Sequence, residues 1–253
     1  MTSKNGEIGR TIPTIEPSEP GPVASEKPRP LRILVAVPTH GSVKSGFAIA
    51  LARAAAHFAA LPYDGEKAVI VTSVGSSILP EGRARLVARA YDADATHIMW
   101  FDADMKFPDD IISRLLNHNL AVVGVNYPRK NIEARPTAYA DTPDYVGPVW
   151  SGDRASGIQE VSIVGFGALL CDMRVFDQIE LPFFAFEPQA PDFVKTMGED
   201  VYFCRKLHKA GIPVHIDHDL SKQVAHIGDF EYTNFLSKEA EVVKQKLYAD
   251  LPA

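Results

Sequence analysis

Along the first half of the chain, short apolar runs alternate with stretches whose apolar residues recur at helical spacing. Leu31–Val37 is a nearly continuous apolar run ended by Pro38-Thr39-His40-Gly41, which predicts a buried strand running into a turn. Ser45–Ala60 reads as an Ala-rich helix, and Lys67–Thr72 as a second buried strand. Glu81–Tyr91 carries Leu86, Val87 and Ala90 at helical spacing. Thr96–Phe101 is a third strand, ending at Asp102. Pro108–Asn117 predicts a helix, with Pro at its start and acids in the first turn, where the helix dipole favours them. Leu120–Val125 is a fourth strand. This alternation predicts an α/β fold built on a single, mostly parallel sheet flanked by helices.

The second half is less regular. Residues 126–160 are rich in Pro, Gly, Asp and Tyr and predict loops with a small hairpin. Ser162–Cys171 reads as a strand interrupted by Gly165 and Gly167, and residues 180–198 as a Phe- and Pro-rich loop. Glu199–Ala210 is a helix stopped by Gly211-Ile212-Pro213. Val214–Ile216 is a strand, and Leu236–Leu251 an amphipathic terminal helix. Residues 1–30 differ from all of this. They hold six prolines and no aromatic residue, which predicts a disordered or extended tail before one folded domain over 31–253.

Composition narrows the class of protein. With 253 residues, 46% of them hydrophobic, the chain can bury a large core, which excludes wholesale disorder. A net charge of −6 weakens a general nucleic-acid coating role. Cys171 and Cys204 fit free thiols in a reducing compartment. The longest apolar helical stretch, Phe47–Leu61, is broken by Arg53 and His57, so no transmembrane segment is expected. Met1–Arg10 is polar and carries no signal core; the expected location is the cytoplasm.

The strongest chemical signal is Asp102-Ala103-Asp104, at the end of an apolar strand. Extended geometry puts carboxylates at i and i+2 on one side. Ligands of open α/β sheets bind at the carboxyl ends of strands. Two like charges there need a counter-charge, and Mg²⁺ or Mn²⁺ supplies one; the bland reading is a solvated strand end. Glu199-Asp200 opens a helix, where acids are ordinary dipole partners or, functionally, a general base. His226 is a lone His that matters only beside Asp104. His215, Asp217, His218 and Asp219 form a dense cluster that a strand would split between two faces. Walker, Gly-x-Gly-x-x-Gly, Gly-x-Ser-x-Gly and zinc-type Cys patterns are missing from the sequence.

The ordered set is specific. It runs from the strand ending in Pro38-Thr39 through Gly82-Arg83, Phe101-Asp102-Ala103-Asp104 and Gly165-Phe166-Gly167 to Glu199-Asp200 and His226. Over about residues 31–235 it resembles a GT-A-fold glycosyltransferase of the family-2-like kind found in bacteria and phages. The resemblance implies a nucleotide-sugar half over about 31–125, an acceptor half over about 126–235 and a terminal helix over about 236–251. It implies Mn²⁺ or Mg²⁺ held by Asp104, Asp102 and His226, and a nucleoside-diphosphate sugar, UDP or GDP foremost, as donor. Pro38, Thr39, His40, Arg83, Asp102 and Gly167 would lie around that donor, and Gly165–Gly167 beneath its sugar. Asp200, with Glu199 beside it, would be the base. The acceptor stays open among a glycan, a lipid-linked sugar, a protein and a modified DNA base. A sugar-phosphate nucleotidyltransferase and a catalytically dead GT-A-shaped binding module are the competing readings.

Overall fold

The computed structural model describes residues 29–131, 133–141, 146–189, 196–228 and 231–234. Its first half contains β1 (Leu31–Thr39), α1 (Ser45–Ala60), β2 (Lys67–Gly75), α2 (Leu79–Asp92), β3 (His97–Phe101), β4 (Met105–Lys106), α3 (Ile111–Asn117) and β5 (Val122–Gly124). The second half adds β6 (Tyr139–Asp141), β7 (Val146–Pro148), β8 (Ile158–Val161), β9 (Ala168–Asp172), β10 (Glu187–Pro188) and β11 (Thr196–Met197). It closes with α4 (Glu199–Lys209), β12 (Val214–Asp217), α5 (His218–Ser221), β13 (Ala225–Ile227) and β14 (Glu231–Thr233). Most of the proline-rich segment read as a tail, and the whole terminal helix over 236–251, lie outside the described residues. No described helix is long and apolar enough to cross a membrane.

The central sheet has seven strands in the order β2-β1-β3-β9-β5-β12-β8. β1 is parallel to β2 and β3, and β12 is parallel to β5. β9 and β8 run the other way. The expected mostly parallel sheet flanked by helices is therefore present, together with smaller antiparallel sheets.

Alternation along the strands sorts the apolar side chains into two cores. Leu34, Ala36, Ile98 and Trp100 face one side, against Leu86, Val87 and Ala90 of α2 and Phe203, Cys204 and Leu207 of α4. Ile33, Val35, Val37, Met99 and Phe101 face the other, against Phe47, Ala50, Ala54 and Phe58 of α1 and Ile111, Ile112 and Leu115 of α3. Helices thus cover both faces, and every loop that leaves the carboxyl end of a parallel strand emerges on one edge of the sandwich.

Three details add to or differ from the sequence reading. The sequence assigned no strand order, and in the structure β9 enters antiparallel between β3 and β5. The strand expected from Ser162 starts only at Ala168. Before it the backbone passes so close to the Tyr127 ring that a Cβ on Gly165 would lie 2.4 Å from Oη and one on Gly167 2.5 Å from Cζ. β8 overlaps the end of a region read as loop; its apolar Ile158 and Val161 are separated by Gln159 and Glu160, too short a run to show a strand period. The hairpin expected in that region is β6–β7.

Gly124 is where the sheet tolerates least. A Cβ there would lie 2.8 Å from the Ala168 carbonyl oxygen and 2.8 Å from Leu169 Cδ1. Gly124→Ala is expected to destabilise the fold by about 1–3 kcal/mol through overpacking. Urea denaturation checks this: the midpoint falls while the slope stays, and an unchanged midpoint refutes the account.

Candidate functional site

The chemistry-bearing segments meet at the carboxyl ends of β1, β3 and β5, the edge where open α/β sheets bind ligands. At their centre is Asp102–Asp104. These residues form a tight turn, closed by the Met105 N–H on the Asp102 carbonyl at 3.2 Å, rather than the extended segment expected. Three other parts of the chain clamp its backbone. Lys44 donates to the Ala103 carbonyl at 3.1 Å, Asp102 donates to the Gly167 carbonyl at 3.2 Å, and Ile227 donates to the Asp104 carbonyl at 2.7 Å. The last bond extends the pairing of β13 with β4, in which His226 faces Met105.

Because the segment turns, the two carboxylates have different partners. Asp102 Oδ1 accepts from Arg83 Nη2 at 3.1 Å. The same guanidinium donates through Nε to Glu199 Oε1 at 3.1 Å. Arg83 is 2% exposed and lies over the Phe166 and Trp100 rings, 4.4 and 5.4 Å from their centroids. Its Nη1 has no hydrogen-bond partner among the described residues. Burial raises the Glu199 carboxyl, and Arg83 offsets this only in part. Arg83 sits on the buried stripe of α2 with Leu86, Val87 and Ala90. A cation on an apolar stripe is the sequence signal that could have marked it as the hub of this network.

Asp104 faces the other way. Lys130 Nζ contacts its Oδ2, and His226 Nε2 lies 3.3 Å from its Oδ1. Burial alone would raise this carboxyl, but His226 and Lys130 outweigh it and hold it at about 2. The other imidazole nitrogen, Nδ1, is 3.2 Å from the Pro128 carbonyl oxygen, where it can only donate. A neutral ring in that tautomer turns a lone pair at Nε2 towards a carboxylate oxygen. Two acceptors so placed need a positive charge between them, either a ring proton or a metal ion. A backbone carbonyl holding the far nitrogen is also how metal-binding histidines are oriented. Carboxylate oxygen and imidazole nitrogen suit Mn²⁺ or Mg²⁺, so the pair fits such an ion. Among the described residues no group of three or more His, Cys, Asp or Glu side chains gathers around one point.

Asp200 opens α4 beside Glu199, and its Oδ1 accepts from the Val201 N–H at 2.8 Å. Burial raises its carboxyl, the Val201 N–H and Arg83 pull it down, and Asp102 pushes it up again; the net shift is upward. Glu199 is buried against Arg83, whereas Asp200 is half-buried, so Asp200 is the member of the pair that can meet a substrate. Tyr127 lies beneath the whole arrangement. Its hydroxyl accepts from the Gly167 N–H at 2.9 Å, and its ring meets His226 edge-on at 5.3 Å. Burial, then Asp102 and Asp200, push its phenol well above the usual range. Tyr127 is itself buried and acts by orienting its neighbours.

The remaining expected site residues stand as follows. Pro38 is buried, Thr39 half-buried and His40 exposed. Thr39 Oγ1 accepts from Gly41 and donates to the Ser42 carbonyl, which shapes the turn after β1. Gly167 is buried under Tyr127. The 215–219 cluster is structural. Asp217 accepts from Leu220 N and pairs with His118, and His218 bonds Ser151 and Gln159.

No protein-family profile and no curated protein sequence matches the chain. Among solved structures it is similar to A197 from STIV, with 17% identity over 79% of this chain and 87% of that one and a TM-score of 0.52. That likeness shows a shared fold. Looser likenesses are to the catalytic domain of Drosophila beta1,4galactosyltransferase 7 in complex with xylobiose and to the nucleoside-diphosphate-sugar pyrophosphorylase from Vibrio cholerae RC9. The first has 16% identity over 78% of this chain and 71% of that one, with a TM-score of 0.44; the second has 9% over 82% and 98%, with 0.41. At those scores neither carries an argument about this chain.

The Arg83 network is testable as a charge balance. Arg83→Met strands a buried carboxylate and is expected to cost about 3–5 kcal/mol. Adding Glu199→Gln should return part of that loss, because the stranded charge is gone. Chemical denaturation of both variants and of Glu199→Gln alone decides it: additive losses would show that Arg83 and Glu199 are not energetically coupled.

Proposed function

We propose that the chain is a divalent-metal-dependent glycosyltransferase that moves a sugar from a nucleoside-diphosphate donor to an acceptor hydroxyl. The observation that carries this reading is the Asp104–His226 pair, aimed at one point at the carboxyl edge of the sheet, with the carboxylate of Asp200 in the same site. The ordered motif resemblance supports the choice of sugar transfer. The fold likeness alone would not, because one fold hosts many activities.

A Mn²⁺ or Mg²⁺ ion bound at Asp104 and His226 would supply Lewis-acid stabilisation of the negative charge that develops on the leaving diphosphate. This chain's own residues would do the rest. Arg83 holds Asp102 and Glu199, and thereby fixes β3's exit against α4. Pro38, Thr39 and His40 would line the nucleoside side, and Gly165 and Gly167 leave room for the Tyr127 ring beneath the site. Asp200 accepts the proton of the acceptor hydroxyl as that oxygen bonds to the anomeric carbon. The bond from that carbon to the diphosphate oxygen breaks, and the nucleoside diphosphate leaves with the electron pair. A carboxyl raised above its usual range is a stronger base than a free aspartate.

Release of nucleotide from UDP-, GDP-, ADP-, CMP- and dTDP-sugars, with Mn²⁺ and with EDTA, tests the reading. One donor is expected to be hydrolysed, with activity lost in EDTA and in Asp104→Asn. No turnover and no metal-dependent nucleotide binding with any donor would overturn it. Once a donor is found, the pH profile tests the base. Asp200 must be deprotonated to act, so kcat/KM should fall towards acid pH, with a midpoint above the ordinary aspartate range. Asp200→Asn should retain donor binding and lose transfer by about 10²-fold or more; transfer at the original rate would remove Asp200 from the mechanism.

A further inference from the structure

Among the described residues Lys130 supplies the ammonium that contacts Asp104. We propose that Lys130 is a tethered competitor for the divalent cation: its ammonium occupies Asp104 in the metal-free protein and must leave before a metal ion can bind there. The proposal rests on the reading of Asp104 and His226 as metal ligands.

The seat of Lys130 is built. Its segment is held at the neck by the Pro128–Pro136 bridge and by the Arg129 N–H on the Arg135 carbonyl at 2.8 Å. Its aliphatic stem crosses Gly228, where an added Cβ would lie 3.1 Å from Cδ and 3.6 Å from Cγ. The neighbouring basic residues are engaged elsewhere: Arg129 lies over the Tyr139 ring and Arg135 pairs with Glu133. Within this basic stretch Lys130 is thus the residue seated on Asp104, while the charge of Arg129 is felt at Asp200.

The geometry makes the competition direct. Lys130 takes Asp104 Oδ2 while His226 faces Oδ1, so both oxygens are engaged. An ammonium and a divalent ion cannot share a carboxylate oxygen without strong repulsion. The Lys130 side chain is 35% exposed, and its head sits on a flexible four-carbon stem. It can swing into water while its backbone stays in place. Charge balance adds a consequence. A divalent ion on Asp104 exceeds that carboxylate by one charge, and the displaced ammonium adds another beside it, which an anionic diphosphate would relieve. Metal and donor are then expected to bind as a set.

The test measures Mn²⁺ binding to the full-length protein without nucleotide, by the loss of the free-ion electron paramagnetic resonance signal. Lys130→Met removes the competing charge and keeps the stem's bulk. It is expected to bind Mn²⁺ about fivefold more tightly than wild type, the scale of a part-exposed ion pair. Lys130→Arg keeps the charge and should bind as wild type does. If Lys130→Met binds no tighter than a wild-type protein that does bind Mn²⁺, competition is overturned while the metal reading stands. If wild type and a folded Lys130→Met both bind no Mn²⁺, the metal reading falls and the competition with it.

Discussion

A guanidinium removed from water must be surrounded by anions, and Arg83 is held between two of them. The carboxylates belong to segments far apart in the chain: Glu199 stands 116 residues from Arg83. The pairing ties α2 to the exit of β3 and to the first turn of α4. Apolar packing drives these elements together, but it is non-directional and leaves them free to slide. An ion pair with fixed hydrogen-bond geometry removes that freedom. Stacking of the same guanidinium on Phe166 and Trp100 orients its plane. The position of Asp102 against Glu199 depends on this one buried charge.

Two aspartates in one short turn have been given different work by their surroundings. Asp102 pairs with Arg83, whereas Asp104 pairs with His226 and Lys130, although the two side chains are about equally exposed. The backbone clamps from Lys44, Gly167 and Ile227 keep the turn from relaxing into an extended strand, which would have aimed both carboxylates the same way. Tyr127 joins the two halves, because its hydroxyl fixes the glycine loop and its ring braces His226. Glycine at 165 and 167 is required there for space, since the phenol ring lies where a side chain would go.

Much of the architecture was legible from local pattern. Strands such as β1 and β3 are buried on both faces, so they read as continuous apolar runs, and α1 and α2 carry their apolar residues at helical spacing. The failures have a common cause. β4, β13 and β14 are two or three residues long and the edge strand β8 is four, too short for any period to show. The central position of β9 also escaped, because the order of strands in a sheet is not written in the order of strands along a chain.

The candidate site divides in the same way. The sequence by itself determined that Asp102, Asp104, Glu199 and Asp200 would stand where elements begin or end, because hydrophobic periodicity is local and its breaks locate loops. It also marked a sheet edge as the place to look. Only the tertiary structure decided which residues meet. It placed His226 beside Asp104 through the pairing of β13 with β4, Lys130 on that same carboxylate, and Arg83 between Asp102 and Glu199. Those contacts rest on hydrogen bonds and charge pairs between distant segments. No local pattern encodes such contacts, since each exists only after the two cores have closed around the sheet.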